Sequence, residues 1–281
     1  MATPETIATR LREQNVRIVR LRPWLDFSPI AYGHVMSREE YKAAMMEAVR
    51  KIKAVDPSMK VIASVETDWV NVVLDPLPAD VPTDPKASGY LRVPPEKATA
   101  VLAAAPAWAD SVLREKDGSI WLLYHGRADS GRKYTALNVY PAPGNHQSGF
   151  LLEQARFVLE EVGLDGIYID EFTVQDSASY DKWDGHTVDI DPATGAVVRK
   201  YTNPALAGTD SRLALIDYVL SRGGVLIANM YSTSTEEANR PVTRFAETYF
   251  AFDIDALPDE SSRPISPFWP GASWIPPSGW E

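Results

Sequence analysis

The residues Gly163-Leu164-Asp165-Gly166-Ile167-Tyr168-Ile169-Asp170-Glu171-Phe172 place two carboxylates at the end of a short apolar strand. Side chains alternate along a strand, so Ile167 and Ile169 take one face while Tyr168 and Asp170 take the other. In a closed parallel barrel both faces are covered, and chemistry gathers at the strand C-termini. A carboxylate there is costly unless it is solvated in a cleft or paired. Asp170 is therefore a reacting group or a hydrogen-bond anchor for a ligand, unless it only caps the next segment or pairs with an arginine. Glu171 points away from Asp170 by parity unless a strand-end bulge re-aims it. Asp165, before the strand, reads as a structural turn residue.

Asp26, Glu66, Glu247 and Asp253 also stand at or near expected strand ends, as do Asn138 and Asn229. Glycoside cleavage is the chemistry such a set suits. One carboxyl group protonates the leaving oxygen, and another attacks the anomeric carbon or activates water. Glu66, Glu171 and Glu247 are the candidate partners of Asp170, although Glu66 could instead be a buried acid paired with Arg20 or Arg22. Asn229 and Asn138 can hydrogen-bond sugar hydroxyls. Tyr168 orients Asp170 or simply fills the barrel. Trp24, Trp69 and Trp183 follow strand ends and offer apolar faces to sugar rings.

Other chemistries lack their residues. No cysteine is present, which removes disulfides, thiolate catalysis and Cys-bound zinc. No phosphate-binding G-x-x-x-x-G-K-[ST], dinucleotide G-x-G-x-x-G or nucleophile-elbow G-x-S-x-G pattern occurs. His34, His125, His146 and His186 show neither H-x-H nor H-E-x-x-H spacing, and no lysine ends an expected barrel strand. Asp189-x-Asp191-x-x-Thr194-Gly195 fails the EF-hand pattern for want of a bidentate glutamate and reads as a hairpin turn. No metal and no organic cofactor is expected.

The elements that must position these residues alternate between strand and helix, which predicts a parallel α/β fold. Strands are expected near residues 16, 61, 135, 166, 225 and 247, with Ile120–Tyr124 in a local hairpin. Ser37-Arg38-Glu39-Glu40 is a capping box that opens a helix to about Val55. Further helices are expected from Pro95 to about Glu115, from His146 to Val162, over 210–222 and around 235–245. Residues 74–95 read as a long loop. The segment 173–207 holds a second hairpin, His186–Asp191 with Ala196–Tyr201. A (β/α)8 barrel accounts best for this order, with a doubly wound sheet as the runner-up. The chain opens on a helix where a barrel opens on a strand, so an incomplete or irregular barrel is expected over residues 1–263. Residues 264–281, with five prolines and three tryptophans, form an irregular tail.

With 28 Lys+Arg against 38 Asp+Glu the chain is acidic, at −10, which argues against nucleic-acid and anionic-membrane partners. No apolar run is long enough to span a membrane, and Met1–Thr6 lacks a secretory signal. An upstream signal would place the protein outside the cytoplasm.

Gly163–Phe172 resembles the G-x-D-G-[IVF]-x-x-D strand of glycoside-hydrolase barrels of the α-amylase-like and α-galactosidase-like groups. The resemblance spans roughly residues 145–250 and includes Tyr180-Asp181-x-Trp183-Asp184-Gly185, the Arg212 helix, Val225–Asn229 and Arg244-x-x-Glu247. It implies a barrel glycosidase with Asp170 as nucleophile. The His-bearing motifs of the α-amylases and the K-x-D of the α-galactosidases are missing, so no sugar specificity carries over. The expectation is a glycoside hydrolase acting on a neutral or weakly charged oligo- or polysaccharide. Its rivals are a non-catalytic carbohydrate-binding barrel and a lyase working with a Tyr/His pair.

Overall fold

Five parallel strands side by side in the order in which the chain makes them are the frame of the molecule. The computed structural model describes residues 16–24, 37–73, 90–127, 133–173, 178–230 and 232–245, with Thr6, Leu11 and Glu13 as isolated positions. The frame consists of β1 (Ile18–Trp24), β2 (Lys60–Glu66), β7 (Gly166–Asp170), β10 (Val225–Asn229) and β11 (Thr243–Phe245), in that spatial order. A doubly wound sheet would reverse direction at a switch point, whereas sequential order winds one way as a barrel does. The architecture is α/β, an incomplete (β/α)8-like barrel.

The helices lie on one side of this frame. The helix α1 (Arg38–Val55) starts where the sequence announces it: the Ser37 side chain accepts from Glu40 N–H, and the Glu40 carboxylate accepts from Ser37 N–H. The helix α3 (His146–Arg156) is capped by Asn145 and continues as a π-helical segment, Phe157–Val162, that ends at Gly163. The helix α5 (Thr209–Ser221) precedes β10. Their apolar faces meet Val61, Ala63, Val65, Ile167, Ile169, Leu226 and Ala228 in one core. The opposite sheet face carries Ser64, Glu66, Tyr168, Asp170 and Asn229, as alternation requires. Only glycine fits at the start of β7, because a Cβ on Gly166 would lie 1.9 Å from the Val225 carbonyl oxygen.

Between β2 and α3 the chain builds a second unit that alternation alone did not reveal. The strands β3 (Trp69–Val73), β4 (Tyr90–Val93), β5 (Ile120–Arg127) and β6 (Lys133–Asn138) form an antiparallel sheet in the order β3-β6-β5-β4. With α2 (Pro95–Ala104) it encloses its own apolar core. The strand expected near residue 135 is thus β6, antiparallel to both neighbours and outside the barrel. Its apolar run is the same whether the partner is parallel or not. The helix from Pro95 stops at Ala104 rather than near Glu115, because Pro106 has no N–H to continue the ladder and opens a 3-10 turn, Pro106–Trp108.

After β7 the expected hairpin is present as β8 (Val188–Ile190) and β9 (Val197–Lys200), followed by the short helix α4 (Pro204–Ala207). Near the end of the described chain, α6 (Thr235–Ala238) is one turn long, and β11 begins at Thr243 rather than at Glu247. Apart from the isolated positions Thr6, Leu11 and Glu13, the helix expected before residue 14 lies outside the described residues, as do Asp26, His34, the segment 74–89, Glu247, Asp253 and the tail 264–281.

A buried ion pair ties these last elements together. Arg212 of α5 and Glu237 of α6 are 1% and 0% exposed and meet at 2.5 Å. The same guanidinium donates to Ala205 O and to Thr233 Oγ1, and Glu237 Oε2 accepts from Thr233 N–H at 2.9 Å. Removing one partner strands a charge in the interior. Arg212→Met or Glu237→Gln should each lower the unfolding free energy by about 3–5 kcal/mol, measured by urea denaturation.

Candidate functional site

The site starts from register. Glu66 and Asp170 are directly paired positions on β2 and β7, as are Ser64 and Tyr168 two residues back. Neighbouring strands lie about 4.8 Å apart, so the two carboxylates leave the same sheet face side by side. β10 supplies the third member. The Asn229 side-chain amide donates to Asp170 Oδ1 at 2.5 Å, and the Tyr168 hydroxyl donates to the same oxygen at 2.9 Å. The donation from Tyr168 is what strand parity allows for residues two apart. Arg20 of β1 lies over the Tyr168 ring, 4.3 Å from its centroid. Among the described residues the donors on Asp170 converge on Oδ1, which fixes the carboxylate plane and leaves Oδ2 for other contacts.

Glu171 departs from the parity expectation. Its φ of 48° puts it in the left-handed region, a strained conformation for a non-glycine residue, and Met230 after β10 has a φ of 95°. The turn redirects Glu171 so that its charge acts on both Glu66 and Asp68. Phe172 holds the turn in place. It is fully buried, its N–H donates to Asn229 O at 3.1 Å, and its ring lies near the Arg212 and Arg244 guanidinium groups at 5.7 and 5.3 Å.

Asp68 is the member that sequence reading missed. It follows β2 by two residues and shares a hydrogen bond with Glu66. Two carboxyl groups can do this only if one of them holds a proton. Burial foremost, then the charges of Asp68 and Asp170, raises Glu66 well above the usual carboxylate range. Burial likewise pushes Asp68 up to about 8; the charges of Glu171 and Asp170 add to this, and the bond from Glu66 opposes it. The signal available in the sequence was the spacing Glu66-x-Asp68, which keeps both side chains on one side if the extended chain continues past the strand end.

A cavity of about 570 Å³ opens beside Asp68. Trp69, Tyr90, Trp121 and Tyr180 supply aromatic surface, and Glu115, Asn138, Leu113 and Ala178 complete the described lining. Trp69 and Tyr90 pack with centroids 5.5 Å apart, and the Trp121 indole N–H donates to Glu115 at 2.8 Å. The Tyr90 phenol is raised by burial and by the nearby charges of Asp68, Glu171 and Glu66, which ties the cavity wall to the acids. Three walls come from the inserted unit and the fourth from the segment after β7. That segment is pinned where Tyr180 N–H donates to Arg114 O and Ser179 pairs with Thr202.

The sequence candidates therefore separate by position. Glu66, Asp170, Glu171, Tyr168 and Asn229 meet at the sheet end, and Trp69 and Asn138 line the adjoining cavity. Trp183 stands apart on the hairpin-bearing loop. It is half exposed, bonded to Thr187 O and covered by the Lys200 ammonium at 4.0 Å. The Trp24 side chain and Glu247 lie outside what is described. A larger depression, about 640 Å³, lies at the opposite end of the sheet among Lys60, Glu160, Asp165 and Arg222. Its charges are matched within it: Asp165 pairs with Lys53 and Lys60, and Glu160 with Arg222. Among the described residues no group of three or more acids or histidines is disposed to hold a metal ion.

No family model matches the chain, and neither does any curated protein. Solved structures give loose overlaps. The α-N-acetylgalactosaminidase NagBb of Bifidobacterium bifidum, in complex with GalNAc, is 13% identical over 87% of this chain and 32% of its own, with a TM-score of 0.40. The noncanonic maltogenic α-amylase AmyB of Thermotoga neapolitana is 12% identical over 82% of this chain and 42% of its own, with a TM-score of 0.38. A cycloisomaltooligosaccharide glucanotransferase of Paenibacillus sp., complexed with cycloisomaltoheptaose, is 10% identical over 81% and 28%, with a TM-score of 0.41. The chain spans less than half the length of each. Overlaps this loose carry no residue-by-residue correspondence.

The raised pair makes stability depend on pH with a definite sign. An acid whose folded pKa lies above its unfolded value binds more protons in the native state, so stability falls as pH rises between the two. The window runs from the ordinary carboxylate range to about 8, the value to which Asp68 is raised. Depressed carboxylates such as Asp184, at about 2, act only at more acidic pH. The melting temperature should therefore rise by roughly 4 °C or more between pH 8.5 and pH 5.5 in scanning calorimetry. Asp68→Asn should flatten that slope.

Proposed function

We propose that this chain is a glycoside hydrolase that cleaves a neutral or weakly charged oligo- or polysaccharide at the acidic end of its parallel sheet. One observation carries the reading: the registered carboxylates Glu66 and Asp170 at the sheet's C-terminal end, beside a cavity with four aromatic side chains. Glycoside cleavage needs two carboxyl groups in different protonation states, close enough to address one bond. Here burial drives Glu66 and Asp68 toward the neutral form, and Tyr168 and Asn229 donate hydrogen bonds to Asp170.

In this reading Asp170 is the nucleophile, or the base that activates water. Tyr168 and Asn229 hold its Oδ1 so that Oδ2 meets the anomeric carbon. The proton donor belongs to the group of Glu66, Asp68 and Glu171, in which burial and the neighbouring charges drive Glu66 and Asp68 toward the protonated form. Aromatic faces in the cavity suit the C–H faces of sugar rings, and Asn138 and Glu115 offer polar contacts at its wall. The chain's acidic balance agrees with a substrate that carries little negative charge.

A glycan hydrolysis screen with wild type and Asp170→Asn tests the reading. Asp170→Asn should lose at least about 1,000-fold in kcat/KM on any glycan that the wild type cleaves. Tyr168→Phe, which removes one hydrogen bond to a charged group, should lose about tenfold to a hundredfold. Equal activity in wild type and Asp170→Asn would take Asp170 out of the mechanism. Equal glycan binding without cleavage by either protein would leave a carbohydrate-binding module.

A further inference from the structure

The acids of the cluster differ in what they face. Glu66 and Asp170 leave the sheet, and Glu171 reaches them from the strained turn. Among these four, Asp68 is the one that lines the aromatic cavity. Its main chain is clamped, because its carbonyl accepts from Val139 N–H at 2.7 Å and from the Asn138 side-chain amide at 3.1 Å. Its Oδ1 is buried and has no partner among the described residues. Such an oxygen is costly unless it meets a ligand or carries a proton. Behind it, Glu66 shares its hydrogen bond, and the Glu66 carboxylate also accepts from Thr67 N–H at 3.0 Å.

We propose that Asp68 is the acid that protonates the leaving glycosidic oxygen, with Glu66 as a positioning residue behind it and the leaving sugar seated in the cavity walled by Trp69, Tyr90 and Trp121. The inference rests on the glycosidase reading. As the bond from the anomeric carbon to the glycosidic oxygen breaks, its electron pair stays on that oxygen, which takes the Asp68 proton. The anomeric carbon is captured by Asp170, or by a water that Asp170 deprotonates. In the first case a second step follows, in which Asp68 removes a proton from water as that water displaces Asp170. One water is consumed per bond cleaved; the covalent route restores both acids directly, and on the other route the proton taken up by Asp170 is lost to solvent while Asp68 takes one back. The upward shift of Asp68 agrees with this role, since it keeps the acid protonated near neutral pH.

Leaving-group dependence separates a proton donor from a structural residue, because a good leaving group departs without protonation. The probes are the phenyl and 2,4-dinitrophenyl α- and β-glycosides of glucose, galactose, mannose and the two common N-acetylhexosamines. Asp68→Asn should lose about 10²–10⁴-fold in kcat/KM on the phenyl glycoside that the wild type cleaves. On the dinitrophenyl counterpart its loss should be under about tenfold, less than one factor-of-ten step in barrier. Asp170→Asn should lose heavily on both, and Asp68→Glu should regain part of the phenyl activity. Equal losses by folded Asp68→Asn on the two leaving groups, or the split appearing in Glu66→Gln and not in Asp68→Asn, would overturn the assignment while leaving the hydrolase reading intact. If Asp68→Asn does not fold, Asp68→Ser gives the same comparison. A wild-type protein that cleaves none of these glycosides and no glycan overturns both proposals.

Discussion

The register of β7 between β2 and β10 is the constraint on which the acidic end depends. A parallel strand fixes its neighbours' side chains in rows, so pairing Glu66 with Asp170 and seating Asn229 within hydrogen-bond reach are one event. A slip of one residue would turn Tyr168 and Asp170 into the helix-packed core and bring Ile167 and Ile169 to the polar face. Two features forbid it. Ile167 and Ile169 sit in a fully buried apolar layer, and Gly166 lets the Val225 backbone approach closer than any side chain would permit.

That register brings like charges together, and the surrounding structure opposes their repulsion. Glu66, Asp68, Asp170 and Glu171 are too close for all to ionise, so proton sharing between Glu66 and Asp68 relieves part of the cost. The left-handed turn at Glu171 adds backbone strain of order 1–3 kcal/mol. Its counterweight is Phe172, which lies in the core near two buried guanidinium groups. Arg212 is in turn fixed by Glu237, and Arg244 donates to the Glu237 carbonyl at 3.1 Å. The ion pair therefore anchors the turn that carries the acids as well as joining two helices.

Much of this arrangement was legible in the sequence. The capping box before α1, the strand 166–170, its parity and the hairpin after it follow from local patterns that tertiary contacts reinforce. The doubly wound alternative fails on strand order, which no local pattern encodes. The inserted sheet was hidden for the same reason: β6 has the apolar run of a barrel strand, and only its partners β3 and β5, far along the chain, make it antiparallel. Pro106 did mark the end of α2, and a stricter reading of proline would have stopped the helix there. At the site, Asp170, Glu66, Tyr168 and Asn229 could be named because strand ends and parity are sequence properties. Asp68 escaped because it lies past the strand end, where alternation gives no guide to what a side chain faces.

The insertion changes what the acid cluster can recognise. A bare strand end would offer carboxylates to solvent, where their pKa values relax toward ordinary ranges and any solute has access. By returning Asn138 and Val139 onto the Asp68 carbonyl, the inserted sheet holds that residue against its own aromatic wall. The same contact that builds the cavity thus helps to keep Glu66 and Asp68 partly withdrawn from water. Burial raises Glu66 and Asp68 more than any single neighbouring charge does. Substrate shape and proton inventory are consequently set by one structural unit. A change in the β3–β6 pairing that loosened the cavity would also release the proton.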